Sequence, residues 1–530
     1  MTARYRPLGD AAGEGSGREA AGAGVQRALD LGVVVALLGL SLWLRWPALD
    51  PSSLWLDDAW VALVHRTSGV DELRFVGFAA PGFAAMLKGW FALVGYSELA
   101  AQVPALVAGV VAPVVAYLIA RWRGWHRAGA VLGAVALAVG PIAVTYATRV
   151  KQYTTEGLLG LVLLALALWL LDDRTDHRRW ATFVLVGAVG TVVSAFLAPT
   201  VAAGLAAVLV AGLRAGDRRT VQRAVAWGLL YGVGALAWYA VVLAPAVTSS
   251  ISGFWADDFL DLGDGFPVFI SSLLGAGREV AAGALPLPGA VGLLLVALGV
   301  LAVVVGRGPE PRPELLVLLL TPAVMAVVLA MLQLAPLGGG RTDLFLYPSL
   351  SLLLAAGADA GIRLAARHAK PSAAAASLAA VAIVAALLVA AEPVGPYPRS
   401  DVGPLVSQME ASAGPEDALL IYPATMWAYA LYTEGDISLE PEARSAWGFA
   451  PRFVDERVRV LPPGREDPDA YLPTVEALHD EREEVVWLLV SHWREDLERL
   501  REQLEAVGFT GRDIAVRDGA RLERFERDLP

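Results

Sequence analysis

The chain of 530 residues contains no cysteine, which excludes disulfides and thiolate metal sites. Charge is scarce too: Asp, Glu, Lys and Arg make up only 18% of the residues, against 56% hydrophobic. With a mean hydropathy of +0.54, that balance excludes a soluble globular protein of ordinary composition. The net charge of −11 carries no basic footprint for nucleic acid. No small-residue cleavage pattern follows the first apolar run, so the first helix is expected to be a retained signal-anchor and not a cleaved leader. There is no internal repeat of the kind seen in many secondary transporters.

What the chain does have is apolar length. About eleven stretches are long enough to cross a bilayer, each near the roughly 20 apolar residues a spanning helix needs. The expected fold is a mainly α-helical polytopic membrane protein of about eleven transmembrane helices with a C-terminal extracytoplasmic α/β domain. Residues 1–27, rich in Gly and Ala, read as a disordered cytoplasmic tail. Residues 28–391 read as the transmembrane domain with a first outer loop at 47–100, and 396–530 as the outer domain.

The basic segments "RWRGWHR" (121–127), "DDRTDHRR" (172–179), "RAGDRRTVQR" (214–223), "RGPEPRPE" (307–314) and "RLAARHAK" (363–370) fall in alternate loops. Placing them inside puts the N-terminus in the cytoplasm and the C-terminal domain outside, as basic residues favour the cytoplasmic side. That assignment requires Pro81–Gly95, although apolar, to lie along the outer interface without crossing, with Lys88 snorkelling and Trp90 at headgroup level. The outer tail carries strand-like "DALLIYP" (417–423) and "EVVWLLVSH" (484–492), then Leu497, Leu500, Leu504 and Val507 on one helical face before Gly508. The alternation predicts a small α/β unit that folds by itself, in which His492 reads as an ordinary strand-end histidine.

Outer loops otherwise poor in basic residues contain Arg66, Lys88, Arg149, Lys151 and Arg341, and the first of them contains the adjacent acids Asp57 and Asp58. Four segments in order, "LWLDDAWVALVHR" (54–66), "APGFAAMLKGWFALVGYSELAAQVPALVAG", "GPIAVTYATRVKQYTTEGLLGLVLL" and "PLGGGRTDLFLYPSLSLLLAAG", resemble the bacterial C-type (GT-C) membrane glycosyltransferases of the protein-mannosyltransferase-like branch, glycosyltransferase family 39. The resemblance implies a lipid-phosphate sugar donor and transfer at the outer membrane face, with inversion. It also maps the family's first-loop Asp-Glu onto Asp57-Asp58, and its Pro-Pro before the interfacial helix onto Ala80-Pro81.

Such a transfer needs a carboxylate that takes a proton from the acceptor hydroxyl and cations that stabilise the departing phosphate. Asp57 is the candidate base. Asp58 orients the acceptor or His65, which lies seven residues on and close to the same helical face. Arg149, Lys151, Arg341 and Lys88 are candidate phosphate ligands, with His65, Arg66 and Tyr153 lining the pocket. No metal ligand set and no cofactor are indicated. The expected partners are a polyprenyl-phosphate-linked hexose or pentose, a protein, lipid or glycan acceptor and membrane lipids, and the expected location is the plasma membrane. The bland counterparts are a helix cap for the two acids, lipid-headgroup contact for Arg149 and Lys151, a turn role for Arg341 and, for the acids of "WADDFLDLGD" (255–264), a solvated loop in place of contact with acceptor or metal. A transporter or flippase, or a non-catalytic envelope-assembly protein, are the alternative functions.

Overall fold

The computed structural model describes residues 15–67, 69, 80–244, 253–263, 265–305, 313–338, 340–368, 370–395, 400–441, 449–462, 469–492 and 496–527. The membrane part comprises α1 (Gly15–Arg45), α2 (Leu56–Ala62), α3 (Pro81–Val94), α4 (Glu98–Trp122), α5 (Arg127–Val139), α6 (Pro141–Thr145), α7 (Tyr153–Asp172) and α8 (His177–Val193). It continues with α9 (Ala198–Arg214), α10 (Arg218–Trp238), α11 (Phe266–Ala284), α12 (Gly289–Val305), α13 (Pro313–Met331), α14 (Tyr347–His368) and α15 (Lys370–Ala390). Residues 15–27, expected in a disordered tail, are the opening turns of α1, because Ala, Arg, Glu and Gln there are good helix formers. Residues 1–14 and the expected domain boundary at 396 lie outside the described residues.

Among the described residues, 8 helices are long and apolar enough to span, or up to 10 when each of two bent pairs counts as one. Judged by length and composition alone, this falls one short of the expectation of about eleven. The difference is α8, which has only 17 residues and opens on His177, Arg178 and Arg179. It nevertheless runs between the two ends of the bundle. Its first residue meets Arg223, 3.1 Å away, while a Cβ added to Gly82 of α3 would stand 2.6 Å from the Val192 carbonyl near its other end. At 14 residues, α3 is too short to be counted as a span. Lipid-facing surface is plain on α10, where Leu229, Val233 and Leu236 are 65–67% exposed, an apolar stripe that water would not tolerate.

Ion pairs gather the basic segments at one end of the bundle: Arg121 and Arg127 meet Asp30, Arg123 meets Asp172, Arg214 meets Glu314, and His126 and Arg363 meet Asp359. The segments around Asp57, Arg149 and Arg341 meet one another at the opposite end.

The C-terminal unit comprises α16 (Val402–Ser412), β1 (Ala418–Ile421), α17 (Met426–Tyr432), β2 (Ile437–Pro441), β3 (Phe449–Phe453), β4 (Val458–Val460), α18 (Leu472–Asp480), β5 (Val485–Ser491), α19 (Asp496–Ala506), β6 (Phe509–Arg517) and β7 (Ala520–Arg527). Its main sheet has the order β4-β1-β5-β7-β6. Strands β4, β1 and β5 run parallel, and β7 and β6 are antiparallel. The strands expected at 417–423 and 484–492 are β1 and β5, and α19 ends before Gly508, which takes φ +91°, the left-handed turn glycine permits.

One side of this sheet has a core of its own, with Leu420, Tyr471, Val475, Leu488, Leu500 and Phe525. The other side does not. There Leu405, Trp427, Tyr429 and Phe449 pack in one continuous cluster with Leu54, Trp60, Leu63, Phe83 and Phe91 of the first outer loop. The domain expected to fold alone therefore shares half of its core with the loop that carries Asp57. Cut out as 396–530, it would expose that apolar face to water.

Candidate active site

Helix α2 presents the two acids. Trp55 is its N-cap, in extended geometry with φ −60° and ψ 152° and no side-chain cap bond, so neither Asp is the cap. Consecutive residues on a helix point about 100° apart, and the two carboxylates accordingly reach different loops. Asp58 accepts a hydrogen bond from Arg149 Nε at 2.6 Å and another from the Val150 amide at 3.0 Å. Both members of this ion pair are buried, Asp58 at 5% and Arg149 at 3% exposure. Asp57 accepts from Arg341 Nη1 at 3.2 Å, in a less enclosed position.

The Arg149–Lys151 segment reaches α2 because the span before it is broken. Gly140 and Pro141 separate α5 from α6, and the two halves are bent by 57°; proline lacks the amide needed to continue the ladder. Gly140 also admits the Ala284 carbonyl, which would lie 2.7 Å from an added Cβ. Beyond the bend, Lys151 is buried at 6% exposure with its ammonium 4.5 Å from the Trp60 ring centroid. Arg341 opens a 3-10 turn after Gly340, and the carboxylate of Asp343 receives the Gly338 and Gly340 amides at 3.1–3.3 Å, shaping the loop. Its guanidinium lies 5.2 Å from the Trp255 ring, and Tyr146 and Tyr153 flank it. Arg149 likewise lies 5.9 Å from the Tyr146 ring.

Each of the cations Arg149, Lys151 and Arg341 thus has an aromatic neighbour that holds it by attraction to the ring face while leaving its charge in place. Two carboxylates against three cations leave an excess of positive charge. Arg341 Nε has no hydrogen-bond partner among the described residues. Chemically, such an arrangement can receive an anion beside a carboxylate.

Burial pushes the Asp57 carboxyl up, but Lys151, then Arg341 and Arg149, overcome it and hold the group below its ordinary value. Asp57 is therefore ionised at neutral pH. Lys151 moves the other way on balance: burial drives its ammonium down to about 8 against the upward pull of Asp57 and Asp58. Its charge is complete below that value and is lost as pH rises through it. Affinity for a phosphate anion should consequently fall above about pH 8, and Lys151→Arg should extend the plateau upward, since guanidinium stays charged. Calorimetric titration at pH 7 and pH 9 on both proteins would show no difference if Lys151 does not meet the anion.

The remaining expected site residues lie elsewhere. Lys88 does not join the cations; its ammonium donates to the Thr67 carbonyl and, at 2.8 Å, to Thr67 Oγ1, since packing of α3 turns it toward the end of the first-loop helix and not toward solvent. His65 is stacked on Tyr96 with centroids 4.2 Å apart and donates from Nδ1 to the Ala62 carbonyl; it makes no contact with Asp58, whose carboxylate is taken by Arg149 and Val150. Arg66 donates to the carbonyls of Ala430, Thr433 and Gly435 at 2.6–2.8 Å, clamping the C-terminal end of α17. Arg66→Ala should loosen the outer domain by on the order of 2 kcal/mol, as charged hydrogen-bond donors are lost. Limited proteolysis would read this as faster cleavage within 400–527, and an unchanged pattern would remove the clamp. Tyr153, by contrast, sits edge-on to Tyr146 at 5.2 Å within the cluster.

Several members were not anticipated: Trp60, Tyr146 and Trp255 beneath the cations, and Trp55 with His492, whose rings meet edge-on at 4.0 Å. The available signal was an aromatic residue within a few positions of each outer-loop charge. His492 had none, as its contact is made by folding alone.

Residues 79–244 match the family model of dolichyl-phosphate-mannose-protein mannosyltransferases. The fold is similar to crystal structures of ArnT from Cupriavidus metallidurans. In the apo state the TM-score is 0.51 at 14% identity, covering 95% of this chain and 98% of that one. For the form bound to undecaprenyl phosphate it is 0.51 at 15% identity, covering 94% and 98%. An oligosaccharyltransferase of Archaeoglobus fulgidus aligns with a TM-score of 0.48 at 12% identity, covering 92% of this chain and 72% of that one. No curated protein matches in sequence.

Proposed function

Starting from a chain that is GT-C in fold and mannosyltransferase-like over residues 79–244, we propose that it is a membrane glycosyltransferase moving a hexose or pentose from a polyprenyl-phosphate donor to an acceptor hydroxyl. The observation that carries this reading is the convergence of Arg149, Lys151 and Arg341, from two separate loops, on Asp57 and Asp58. The undecaprenyl phosphate bound to the similarly folded ArnT is the chemistry such a cluster suits.

The donor phosphate lies against Arg341 and Lys151. The acceptor oxygen attacks the anomeric carbon from the side opposite the phosphate, so the configuration inverts. Asp57 takes the hydroxyl proton as the new C–O bond forms. The old C–O bond breaks, its electron pair goes to the phosphate oxygen, and the cations stabilise the added charge. Donor binding also sharpens the base: an anion set among the cations that depress Asp57 offsets their pull, raising its proton affinity when the acceptor arrives. Asp58 holds Arg149 in place and takes no proton. Neither a metal nor a cofactor enters these steps.

The site lies on the outer face of the plasma membrane in this reading. The end of the bundle holding the basic segments faces the cytoplasm with the N-terminus, and the C-terminal domain covers the outer side. The acceptor is a protein, lipid or glycan presented there. Purified full-length protein in nanodiscs, given undecaprenyl-phosphate mannose, arabinose and glucose in turn with a detergent extract of the source membranes, should consume at least one donor and release undecaprenyl phosphate. Consumption of none of them, with no binding of undecaprenyl phosphate, would remove the assignment.

A further inference from the structure

His492 follows the last residue of β5 and takes φ +53°, a left-handed backbone that side chains other than glycine's rarely adopt and that persists where its surroundings dictate it. Those surroundings are specific. The preceding Ser491 amide donates to Thr425 Oγ1 at 2.6 Å. His492 Nε2 and Ser400 Oγ share a hydrogen bond of 2.7 Å. The ring meets Trp55 edge-on, and Trp55 is the cap of the helix that bears Asp57. Nδ1 has no hydrogen-bond partner among the described residues.

The placement has a topological cause. Strand β1 pairs in parallel with β4 on one side and β5 on the other. In open α/β sheets, ligands bind outside the carboxyl ends of such strands. Here that end is turned to the membrane part, where His492 packs on Trp55, two residues before Asp57. Burial pushes its imidazole down to about 4 despite the upward pull of Asp57, so the ring is neutral at neutral pH.

We propose that His492 is an acceptor-binding residue: the C-terminal domain presents its Nδ1 beside Asp57, where it hydrogen-bonds the hydroxyl-bearing acceptor and sets the approach of that hydroxyl to the carboxylate. The inference rests on the glycosyl-transfer reading above and adds a role for the C-terminal domain, which contributes a residue to the site. It also explains why the domain shares its core with the first outer loop: a His492 that binds acceptor must be held in register with Asp57.

Two isosteric variants separate binding from scaffolding. His492→Gln places an amide near Nε2 and keeps the Ser400 contact; His492→Asn places one near Nδ1 and keeps the acceptor contact. Both are assayed as full-length protein in nanodiscs with undecaprenyl-phosphate sugar and a serially diluted detergent extract of the source membranes as acceptor pool. His492→Gln should raise the half-saturating amount of extract about tenfold, the share of one hydrogen bond, with undecaprenyl phosphate affinity unchanged. His492→Asn should raise it less. The opposite order, with Gln close to wild type and Asn impaired, would assign the residue to holding Ser400 and overturn the proposal. Equal loss of undecaprenyl phosphate affinity in both variants would also overturn it, by showing a general collapse of the site. Wild-type protein that binds no undecaprenyl phosphate and consumes no donor would overturn the parent reading and this one together.

Discussion

Asp57→Asn should lower single-turnover transfer by about 10²–10⁴-fold, the usual contribution of a general base, while leaving donor affinity close to that of wild type. Asparagine keeps the size of the side chain and can still accept from Arg341, 3.2 Å away in the parent protein, but it cannot take a proton from the acceptor. In the proposed mechanism the donor phosphate is held by cations on other loops, so its binding should survive Asp57→Asn. The pH profile adds an internal check. Asp57 is held below its ordinary value, so its ionisation is complete throughout the neutral range and is lost only in strong acid. The limb visible near neutrality should therefore be the alkaline one from Lys151, pushed to about 8. Near-normal transfer by Asp57→Asn would falsify the assignment of the base.

Asp58→Ala should act on stability. It removes the Asp58 carboxylate from Arg149, which is 3% exposed, and breaking a buried ion pair from one side costs about 3–5 kcal/mol. The Val150 amide loses its acceptor at the same time. Thermal unfolding in detergent should show a strongly lowered midpoint. Adding Arg149→Met should recover much of it, because the buried charge is then gone, and the non-additivity measures the pair. If Asp58→Ala unfolds like wild type, the pair does not hold the two loops together, and a catalytic role for Asp58 reopens.

These two acids show how far reading along the chain reaches. Their place outside the first span, in a helix, with basic residues in the other outer loops, follows from hydropathy and charge alone. That they would divide, one toward Arg341 and one toward Arg149, depends on the helical phase of α2 against two loops distant in sequence. Lys88 marks the limit from the other direction: charge and loop placement grouped it with the cations, but the packing of α3 against Thr67 directs it away. The same packing gives His65 to Tyr96 and Arg66 to α17. Helix α8, with three basic residues in 17, lacks the composition that marks a crossing, yet it runs between the two ends of the bundle.

By itself, then, the sequence determined the environment: membrane, the alternation of loops, the strands and helix of the C-terminal domain, and the loop acids and cations that cluster. Hydrophobic length, charge asymmetry and periodicity are local quantities, set by a residue and its neighbours within a few turns. Only the tertiary structure decided which cations reach Asp57, that the outer domain shares a core with the loop it covers, and that His492 stands over Trp55. Those outcomes depend on the bend at Gly140–Pro141, on the rotation of short helices and on the strand order β4-β1-β5, all settled by packing between segments that are not neighbours in sequence.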